Sequence, residues 1–517
     1  MRLGGFALAA SAALALGFGD MAHAEPLALE PGQFPLIGET DARFQSFNVE
    51  MAEIIGGRFW RPYAENAEDE APPPAAAEQV GVDPNLYAER PPIDLANARL
   101  RTLASALGPF YMRVSGSWAN TVYFQDDDAP PLQEAPEGFQ NVLTRAQWRS
   151  VVEFAEAIDA KLVISFAINA PVRDAEGVWT PVQARPLMQY THDIGGEVYA
   201  AELFNEPNFS ARAGGPENYD GPAFARDIEA FRAFAADAAP NMLIVGPGDT
   251  TVPGIARGPT TRDFLAAEPR PHFDVFSYHF YPSISQRCAP PTSSVGITPE
   301  RAMTEEWLAR TDAAIQARLP LRDAYAPHAP IWLTEVAGAA CGGAPHSATF
   351  VDTFRYLDQA GRLAKQGVSA IFHNTLSASE YGVIDEHSWT PRPNYWAALL
   401  WRRLMGTRVL DAGEARPGLH VYAHCQRDQS GGVSMLAINL GETEATLTTS
   451  GPADIYLLSA TALESTELML NGETLALRDD GALPELHPRH APDGTVTLPP
   501  KTIAFVATPD AHNAQCI

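Results

Sequence analysis

Basic residues are scarce in this chain. Lys and Arg together number 36 among 517 residues, against 63 Asp and Glu, which gives a formal net charge of −27. A surface of this charge repels polyanions, so we expect no binding to nucleic acid, anionic lipid or highly sulfated polysaccharide. The sequence also contains no Lys/Arg-rich run, no Walker loop and no GxGxxG motif, which leaves it without the usual phosphate-binding loops.

Long apolar runs are missing after the first residues, so we expect no membrane association of the mature chain. Residues 1–24 predict a signal peptide. Arg2 gives the positive region, 4–19 the apolar core, and an AHA tripeptide ending at Ala24 the cleavage site. Asp20 interrupts the apolar run and argues against a membrane anchor. We therefore expect export, cleavage after Ala24, and a secreted or periplasmic protein.

Cysteine is rare as well, with four in the chain. The sequence contains no CxxC motif and no Cys/His spacing of the kind that binds zinc, and we expect neither a metal nor an organic cofactor. An even number in an exported chain permits two disulfides, and four cysteines allow three pairings. We favour Cys425 with Cys516, because both lie in the C-terminal segment, which leaves Cys288 with Cys341.

Short β-rich apolar runs alternate with helix-like stretches between residues 41 and 408. There are eight such runs, each apolar and followed by a polar tip: FQSFNVE, FYMRVSG, KLVISFAINA, EVYAAELFNE, MLIVGPGD, FDVFSYHFYP, PIWLTEVAG and VSAIFHNT. Buried strands that alternate with helices predict a parallel sheet, and eight strands close a (β/α)8 TIM barrel. A doubly wound open sheet is the main alternative, but the strand count and the chain length favour the barrel.

The composition changes towards the C-terminus, where short alternating runs are separated by Gly, Asp and Pro turns. This pattern predicts a C-terminal antiparallel β-sandwich domain over 409–517, after a catalytic barrel over 41–408. We expect residues 25–40 to supply an N-terminal strand that joins the sandwich. The acidic, Pro/Ala-rich segment 64–92 is interpreted as a long surface loop.

Two carboxylates stand at the ends of predicted barrel strands, where catalytic groups of such barrels lie. Glu206 ends the fourth strand and Glu335 the seventh. Two facing carboxyl groups hydrolyse a glycosidic bond when one protonates the leaving oxygen and the other attacks the anomeric carbon or activates water. Their surroundings must separate their pKa values. A single strand-end Glu is often only a solvated residue or an ion-pair partner, but two in register favour catalysis.

The motifs around these residues resemble glycoside hydrolase family 79, the heparanase and β-glucuronidase family of the clan A retaining glycosidases. The resemblance runs collinearly through FNVEM, LRTLASALGPFYMRVSG, FAINA, FNEPN, YHFY, WLTEVAGAACGGAP, EYGVID, PNYWAALLWRRLMGTRVL, LHVYAHC and the final AQCI. It implies hydrolysis of β-linked glucuronic acid through a covalent glycosyl-enzyme, with Glu206 as general acid/base and Glu335 as nucleophile. Their carboxyl groups would then be roughly 5–5.5 Å apart.

The resemblance also implies substrate contacts. Family members hold the glucuronate carboxylate with the amides of a Gly-Gly turn and a Tyr, and these positions match Gly342, Gly343 and Tyr381. The remaining positions that contact the sugar, or lie near the nucleophile, are Asn205, Asn169, Ser117, Glu50, His279 and Tyr281. Arg113 is interpreted instead as a brace that pairs with a carboxylate inside the barrel. The Cys425–Cys516 pair resembles the disulfide of the family's sandwich.

One departure from the animal heparanases concerns the short acidic loop 125–141, which replaces their long excised linker and basic heparin-binding run. A sulfated substrate and proteolytic activation are therefore not expected. Three alternatives to a β-glucuronidase remain: a heparanase-like endo-β-glucuronidase, a clan A hydrolase for a neutral sugar such as a β-xylosidase, and a catalytically silent carbohydrate-binding protein. The last is least favoured, because silent relatives usually lose a catalytic carboxylate and both are present here.

Overall fold

The structure is a computed structural model that describes residues 25–63, 84–252, 258–413 and 416–517. The predicted signal peptide, 1–24, and the greater part of the acidic segment 64–92 lie outside the described residues. Among the helices in these ranges, none combines the length and the apolar character needed to cross a bilayer.

The strands are, in chain order, β1 (Leu27–Leu29), β2 (Leu36–Glu39), β3 (Gln45–Glu50), β4 (Gly57–Trp60), β5 (Tyr87–Arg90), β6 (Phe110–Ser115), β7 (Val122–Gln125), β8 (Asn141–Thr144), β9 (Ala160–Ile164), β10 (Val198–Glu202), β11 (Leu243–Thr251), β12 (Val275–Phe280), β13 (Ile331–Val336), β14 (Val368–His373), β15 (Met405–Leu410), β16 (Leu419–Gln426), β17 (Val433–Asn439), β18 (Ala445–Thr449), β19 (Ala453–Ser459), β20 (Met469–Leu470), β21 (Glu473–Thr474), β22 (Arg489–Ala491), β23 (Thr495–Leu498) and β24 (Thr502–Thr508). The α-helices are α1 (Met51–Ile55), α2 (Ala98–Leu107), α3 (Arg145–Ala157), α4 (Ala184–Asp193), α5 (Gly221–Ala238), α6 (Thr261–Leu265), α7 (Pro299–Ala302), α8 (Glu305–Leu308), α9 (Arg310–Tyr325), α10 (Phe350–Lys365) and α11 (Pro393–Leu404).

Eight parallel strands close into a barrel in the order β3, β6, β9, β10, β11, β12, β13 and β14, and β14 pairs back onto β3. These are the eight apolar runs identified in the sequence, and the predicted (β/α)8 fold is confirmed. The helices around them follow the expected rules. In α3, for example, Thr144 forms a capping box with Gln147, and Trp148, Val151 and Val152 lie on the buried face.

The barrel interior is layered because side chains alternate between the two faces of each strand. An apolar layer near the amino ends contains Tyr111, Val163, Ala200, Val245, Val275, Trp332, Ala370 and Phe372. Two residues further along four of the strands the interior becomes polar, with Arg113, Glu202, Ser277 and Thr334, all buried. The apolar layer closes the bottom of the barrel, and the polar layer supports the side chains at its mouth.

The C-terminal part forms an antiparallel sheet in the order β2, β15, β16, β17, β24, β19, β20 and β21, with β22 beside β19, packed with the smaller sheet β1, β18, β23. The antiparallel domain expected from the sequence is therefore present. The segment 25–40 contributes two strands, and β15 spans the predicted boundary between 408 and 409. The disulfide Cys425–Cys516 ties β16 to the C-terminus, and a second, Cys288–Cys341, lies at the barrel mouth.

Candidate active site

A cavity of about 660 Å³ opens at the carboxyl ends of the barrel strands. Its lining includes the carboxyl groups of Glu50, Glu206 and Glu335, together with Asn205 and Tyr381. The barrel thus brings Glu206 and Glu335 into one cavity, although 128 residues separate them in the sequence. One carboxylate oxygen of each lies within 4.8 Å of the other.

Glu206 follows β10 in a left-handed backbone conformation, with φ of 52°, at the start of the 3-10 helix Pro207–Arg212. The preceding residue is clamped by Asn120, whose side chain accepts from the Asn205 amide at 3.0 Å and donates to its carbonyl at 3.1 Å. This clamp holds the strained turn, because a non-glycine residue adopts such a φ only when neighbours impose it. The turn projects the Glu206 carboxyl into the cavity, 3.1 Å from Nδ1 of His279.

Glu335 lies on β13, and its side chain is held from two directions. The hydroxyl of Tyr281 donates to Oε1 at 2.7 Å, and Nη1 of Arg113 donates to Oε2 at 3.1 Å. Glu335 is 7% exposed, so both bonds operate in a largely desolvated setting, where charge-assisted hydrogen bonds are strong. They fix the carboxylate in one orientation and leave it facing the same cavity as Glu206.

Arg113 does more than the bracing role inferred from the sequence. It donates to Glu202 Oε2 from Nε at 3.0 Å and from Nη2 at 2.9 Å, and it contacts both Glu335 and Asn205. Burial would raise the pKa of Glu202, but Arg113 and His279 outweigh it and hold that pKa well below its ordinary value. One buried cation therefore positions the candidate nucleophile and the asparagine beside the candidate acid.

Sequence reasoning missed Glu202, although a signal was available. Glu202 lies on β10 four residues before Glu206, at an inward-facing position, and Ser277 and Thr334 donate to its Oε1 at 3.1 and 2.8 Å. An inward carboxylate near the level of the inward Arg113 predicts an ion pair across a barrel interior. The Arg113–Glu202 pair fixes the Arg113 guanidinium, which in turn contacts Glu335 and Asn205 at the cavity.

His279 lies beneath the cavity rather than along its wall, and it is fully buried. Its Nδ1 lies 3.1 Å from Glu206 Oε1 and 3.6 Å from Glu335 Oε2. Burial by itself would lower the pKa of this imidazole. The carboxylates of Glu335, Glu202 and Glu206 outweigh burial and raise the pKa to about 10. His279 is therefore a proton donor that lies between the two candidate catalytic groups.

Glu50 is a third carboxyl group in the cavity. Asn374 donates to its Oε1 at 3.0 Å, and burial followed by the charge of Glu335 raises the pKa of Glu50 well above its ordinary value. A methyl group at Gly116 would lie 1.6 Å from Glu50 Oε2, and the φ of Gly116 is 88°, so only glycine fits there. Burial and the Glu335 charge therefore disfavour the ionised form of Glu50.

The predicted Gly-Gly turn has two consecutive residues at positive φ, 77° for Gly342 and 84° for Gly343. Its carbonyl groups are held from behind: Ser379 donates to Gly342, and Tyr63 and Arg287 donate to Gly343. Within the described part of the chain, neither amide of the turn has a hydrogen-bond acceptor. Successive unpaired amides in this conformation form an anion-binding concavity.

Tyr381 lies next to this turn. A methyl group on Gly343 would be 3.1 Å from Tyr381 Cδ1, and the Tyr381 hydroxyl is 3.4 Å from Asn374 Nδ2. Burial, and then the charges of Glu50 and Glu335, hold the pKa of Tyr381 well above its ordinary value. The phenol therefore stays protonated and is able to donate.

The other predicted contact residues differ in where they lie. Ser117, Asn205 and Tyr281 line the cavity together with Glu50 and Tyr381. Asn169, Gly342 and Gly343 are not part of the lining, although Cys341, which precedes the Gly-Gly turn, is. Asn169 Nδ2 donates to the carbonyl of Gly138 at 2.6 Å. The structure thus gives Asn169 a role in holding a loop, as short polar residues at strand ends often have.

Glu206, His279 and Glu335 are also the described residues whose donor atoms come close enough to share a cation, within 4.8 Å of one another. The guanidinium of Arg113 already lies 3.1 Å from Glu335 and 3.3 Å from Nε2 of His279. A metal ion at this point would be repelled by Arg113 and would have to displace the proton of His279. That no metal is needed stays a prediction.

Comparison with known proteins identifies relatives of this arrangement. The family model described as "Glycosyl hydrolase family 79, N-terminal domain" matches residues 87–361. The heparanase of Mus musculus is 28% identical over 489 residues, covering 82% of this chain and 88% of the relative. Heparanase-like protein 1 of Arabidopsis thaliana is 23% identical over 489 residues, covering 82% of this chain and 86% of the relative.

Among solved structures, a 4-O-alpha-L-rhamnosyl-beta-D-glucuronidase from Fusarium oxysporum 12S superposes with a TM-score of 0.66. It is 14% identical, and the alignment covers 93% of this chain and all of that structure. At this identity the likeness shows a shared fold. It covers the barrel and the sandwich together.

Proposed function

The chain belongs to glycoside hydrolase family 79 and is a glycosidase of the clan A type, and from this premise we propose that it hydrolyses β-linked glucuronides with retention of configuration. In this proposal Glu335 is the nucleophile and Glu206 the general acid/base. The carbohydrate substrate carries a glucuronic acid in the cavity at the barrel mouth. Two disulfides fit an extracellular or periplasmic location, where such bonds persist.

The observation that carries the proposal is the spacing of the two carboxyl groups. An oxygen of Glu206 and an oxygen of Glu335 lie within 4.8 Å of each other in one cavity. Retaining glycosidases place these groups about 5–5.5 Å apart, whereas inverting enzymes need about 6.5–9.5 Å to admit a water between them. The short spacing favours direct attack on the anomeric carbon.

The charges around the cavity support this division of roles. Four carboxyl groups, Glu50, Glu202, Glu206 and Glu335, surround two cations, Arg113 and His279. Burial disfavours ionisation of Glu50, whereas Arg113 and His279 hold the pKa of Glu202 below its ordinary value. The proposed reaction requires an ionised nucleophile and a protonated acid. The hydrogen bonds from Arg113 and Tyr281 are directed at the group proposed as nucleophile, Glu335.

In the first step Glu335 attacks the anomeric carbon while Glu206 transfers its proton to the leaving oxygen, giving a glycosyl ester on Glu335. The negative charge thereby moves from Glu335 to Glu206. His279 Nδ1 lies 3.6 Å from the first carboxylate and 3.1 Å from the second, so its proton can stabilise whichever one is charged. In the second step Glu206 removes a proton from water, which hydrolyses the ester and restores the resting charges.

Asn205 is placed to bind the reacting sugar. Its Oδ1 accepts from Arg113 Nη2 at 2.8 Å, and since Arg113 can only donate, the amide nitrogen is directed the other way, towards the cavity. A donor beside the acid can hydrogen-bond the 2-hydroxyl, and this bond strengthens as positive charge develops on the ring in the transition state.

The preference for glucuronate over a neutral sugar rests on Gly342, Gly343 and Tyr381. Two amides without acceptors and a phenol that stays protonated offer three neutral donors in one region. A substrate carboxylate would satisfy them, while a neutral hydroxymethyl group would leave donors unpaired. Relatives named heparanase, aligned over more than four fifths of this chain, make endo cleavage of a glucuronate-containing polymer the second candidate.

The proposal is tested with Glu335→Gln and Glu206→Ala, and with Glu153→Gln on the exposed face of α3 as the matched control. Glu335→Gln should lower kcat on 4-nitrophenyl β-glucuronide on the order of 10⁴-fold or more without changing the melting temperature appreciably. Added azide should rescue Glu206→Ala and give the β-glucuronosyl azide, because the ester still forms. Normal turnover by Glu335→Gln, or release of the α-anomer first by the unmodified enzyme, would refute the mechanism.

A further inference from the structure

A buried arginine, Arg287, lies behind the Gly-Gly turn, and the proposed reaction makes no use of its charge. It is not among the residues that line the cavity. Its Nη1 donates to the carbonyls of Cys341 and Gly343, at 3.2 and 3.0 Å. A methyl group on Gly342 would be 2.8 Å from the same nitrogen, so the guanidinium lies directly against the turn.

The hydrogen bond to Cys341 fixes the direction of the Gly342 amide. The C=O of Cys341 and the N–H of Gly342 belong to one peptide group, and in a trans peptide these two bonds point in opposite directions. Because Arg287 holds the oxygen, the N–H of Gly342 is directed away from Arg287. Ser379 donates to the Gly342 carbonyl at 2.8 Å and fixes the Gly343 amide in the same way.

Arg287 is itself held on several sides, which gives its charge a defined position. Nη2 donates to Glu380 Oε2 at 2.6 Å, and Nε and Nη2 donate to the carbonyl of Arg61 at 3.0 and 2.6 Å. The guanidinium carbon lies 3.9 Å from the centroid of the Tyr63 ring. The residue that follows Arg287 is disulfide-bonded to Cys341. These contacts restrict the guanidinium to one position beside the turn.

The charge of Arg287 acts on the cavity from behind the turn. Burial, and then Glu50 and Glu335, raise the pKa of Tyr381, whereas the charge of Arg287 lowers it. Tyr381 lines the cavity. A positive charge that favours an anion at this phenol also favours a substrate carboxylate held beside it. A hydrogen bond from a cation to a carbonyl further polarises the peptide group and strengthens its N–H as a donor.

A carboxylate needs such a charge in this cavity. The lining includes three carboxyl groups, those of Glu50, Glu206 and Glu335. In the proposed reaction Glu335 is ionised, so a substrate carboxylate in the same cavity is repelled by it. Neutral donors satisfy the hydrogen bonds of the carboxylate, but a fixed cation is needed to offset the repulsion.

We infer that Arg287 is a positioning residue for the substrate charge: it directs the Gly342 amide and supplies, from behind the turn, the positive charge that makes the site prefer a carboxylate. Arg287 acts through the turn and does not touch the sugar. Glu380 moderates the preference, because it pairs with the same guanidinium. The inference rests on the proposed glucuronidase activity and assigns the source of its selectivity.

The test measures kcat and KM of Arg287→Gln on 4-nitrophenyl β-glucuronide and on its uncharged methyl ester. KM for the glucuronide should rise about tenfold while kcat changes less than about threefold, because loss of binding in both ground and transition states raises KM alone. KM for the methyl ester should change less than about threefold. Arg287→Lys keeps the charge with fewer donors, so it should raise KM for the glucuronide only about threefold.

Glu380→Gln distinguishes the charge of Arg287 from its packing. This variant leaves Arg287 in place and removes its counter-charge, so KM for the glucuronide should fall or stay unchanged. A purely structural role for the ion pair predicts the same direction in both variants, since either change breaks the pair. A rise in KM in Glu380→Gln that matches the rise in Arg287→Gln would overturn the inference.

Arg173→Gln is the matched control. Arg173 also pairs with a buried carboxylate, that of Asp227 at 2.9 Å, and donates to the carbonyls of Ile168 and Gly177. It is not part of the cavity lining. Arg173→Gln should lower the melting temperature without changing the ratio of kcat/KM between the glucuronide and its methyl ester.

The remaining outcomes separate this inference from the proposed function. Equal losses on the charged and neutral substrates in Arg287→Gln would overturn the inference while leaving the glucuronidase activity standing. No activity of the unmodified enzyme on the glucuronide would refute the proposed function itself. If Arg287→Gln does not fold, the opposite directions expected for Arg287→Lys and Glu380→Gln decide the question.

Discussion

Replacing Tyr381 by Phe tests the substrate class directly, because it removes one hydroxyl without opening space. Tyr381 is 3% exposed, and its phenol stays protonated next to the Gly342–Gly343 turn. If that hydroxyl donates to the substrate carboxylate, the variant loses one hydrogen bond to a charged group. Such bonds contribute about 1.5–3 kcal/mol, which corresponds to a loss of about 10- to 150-fold in kcat/KM on a glucuronide.

The assay compares 4-nitrophenyl β-glucuronide with its uncharged methyl ester and with 4-nitrophenyl β-glucoside. Tyr381→Phe should lower kcat/KM on the glucuronide alone and change the two neutral substrates less than about threefold, since they have no carboxylate to lose. Tyr281→Phe is the matched control. That hydroxyl donates to Glu335 at 2.7 Å, so its removal should affect the charged and neutral substrates alike.

Two outcomes would refute the role of Tyr381. Equal losses on charged and neutral substrates would mean that the hydroxyl acts through Asn374 or Glu50 rather than on the carboxylate. An unchanged rate on the glucuronide would mean that the amides of Gly342 and Gly343 bind the carboxylate without it. In either case the preference for glucuronate would need another source.

Two further predictions concern stability and the shape of the turn. Removing either disulfide, by Cys288→Ser with Cys341→Ser or by Cys425→Ser with Cys516→Ser, should lower the free energy of unfolding by about 2–4 kcal/mol. Only the first double variant should raise KM for the glucuronide, because Cys341 lines the cavity and precedes Gly342. Equal KM values in the two double variants would contradict this. Burial raises the pKa of Glu53 from 4.5 to about 7, so the folded state binds the proton more tightly and stability from this group falls as pH rises through that window. Glu53→Gln should therefore show a smaller drop in melting temperature between pH 5 and pH 8 than the unmodified protein, and an identical drop would show that Glu53 does not titrate there.

The fold could be predicted from local sequence patterns. Eight apolar runs with polar ends became β3, β6 and β9 to β14, because buried parallel strands need continuous apolar side chains whatever their partners are. The same pattern placed Glu206 and Glu335 at strand ends, and the carboxyl ends of all the strands of a barrel surround one cavity. The boundary near 408 was less readable, since β15 begins at Met405 within what looks like the end of a helix.

The parts of the site that depend on contacts between residues distant in sequence could not be predicted from the sequence. Arg113 could be assigned as a brace, but its simultaneous contacts with Glu202, Glu335 and Asn205 require three strands to meet. Asn169 lies at a predicted strand end, but its hydrogen bond to the carbonyl of Gly138 joins residues 31 positions apart in the sequence. The direction of a side chain at a loop is set by neighbours distant in sequence, which no local window contains.

The sequence by itself determined the barrel, the sandwich and the identity of two acidic groups at strand ends, because strand periodicity and residue type act locally along the chain. The tertiary structure alone decided how these groups are arranged. Arg113 and Tyr281 hydrogen-bond to Glu335, Glu206 lies 3.1 Å from His279, and burial raises the pKa of a third carboxyl group, that of Glu50. It also decided that the rings of Trp60, Tyr87 and Trp118, which are remote in sequence, pack against one another. Distance, desolvation and mutual charge arise only when remote segments pack together, and these quantities set the chemistry of the cavity.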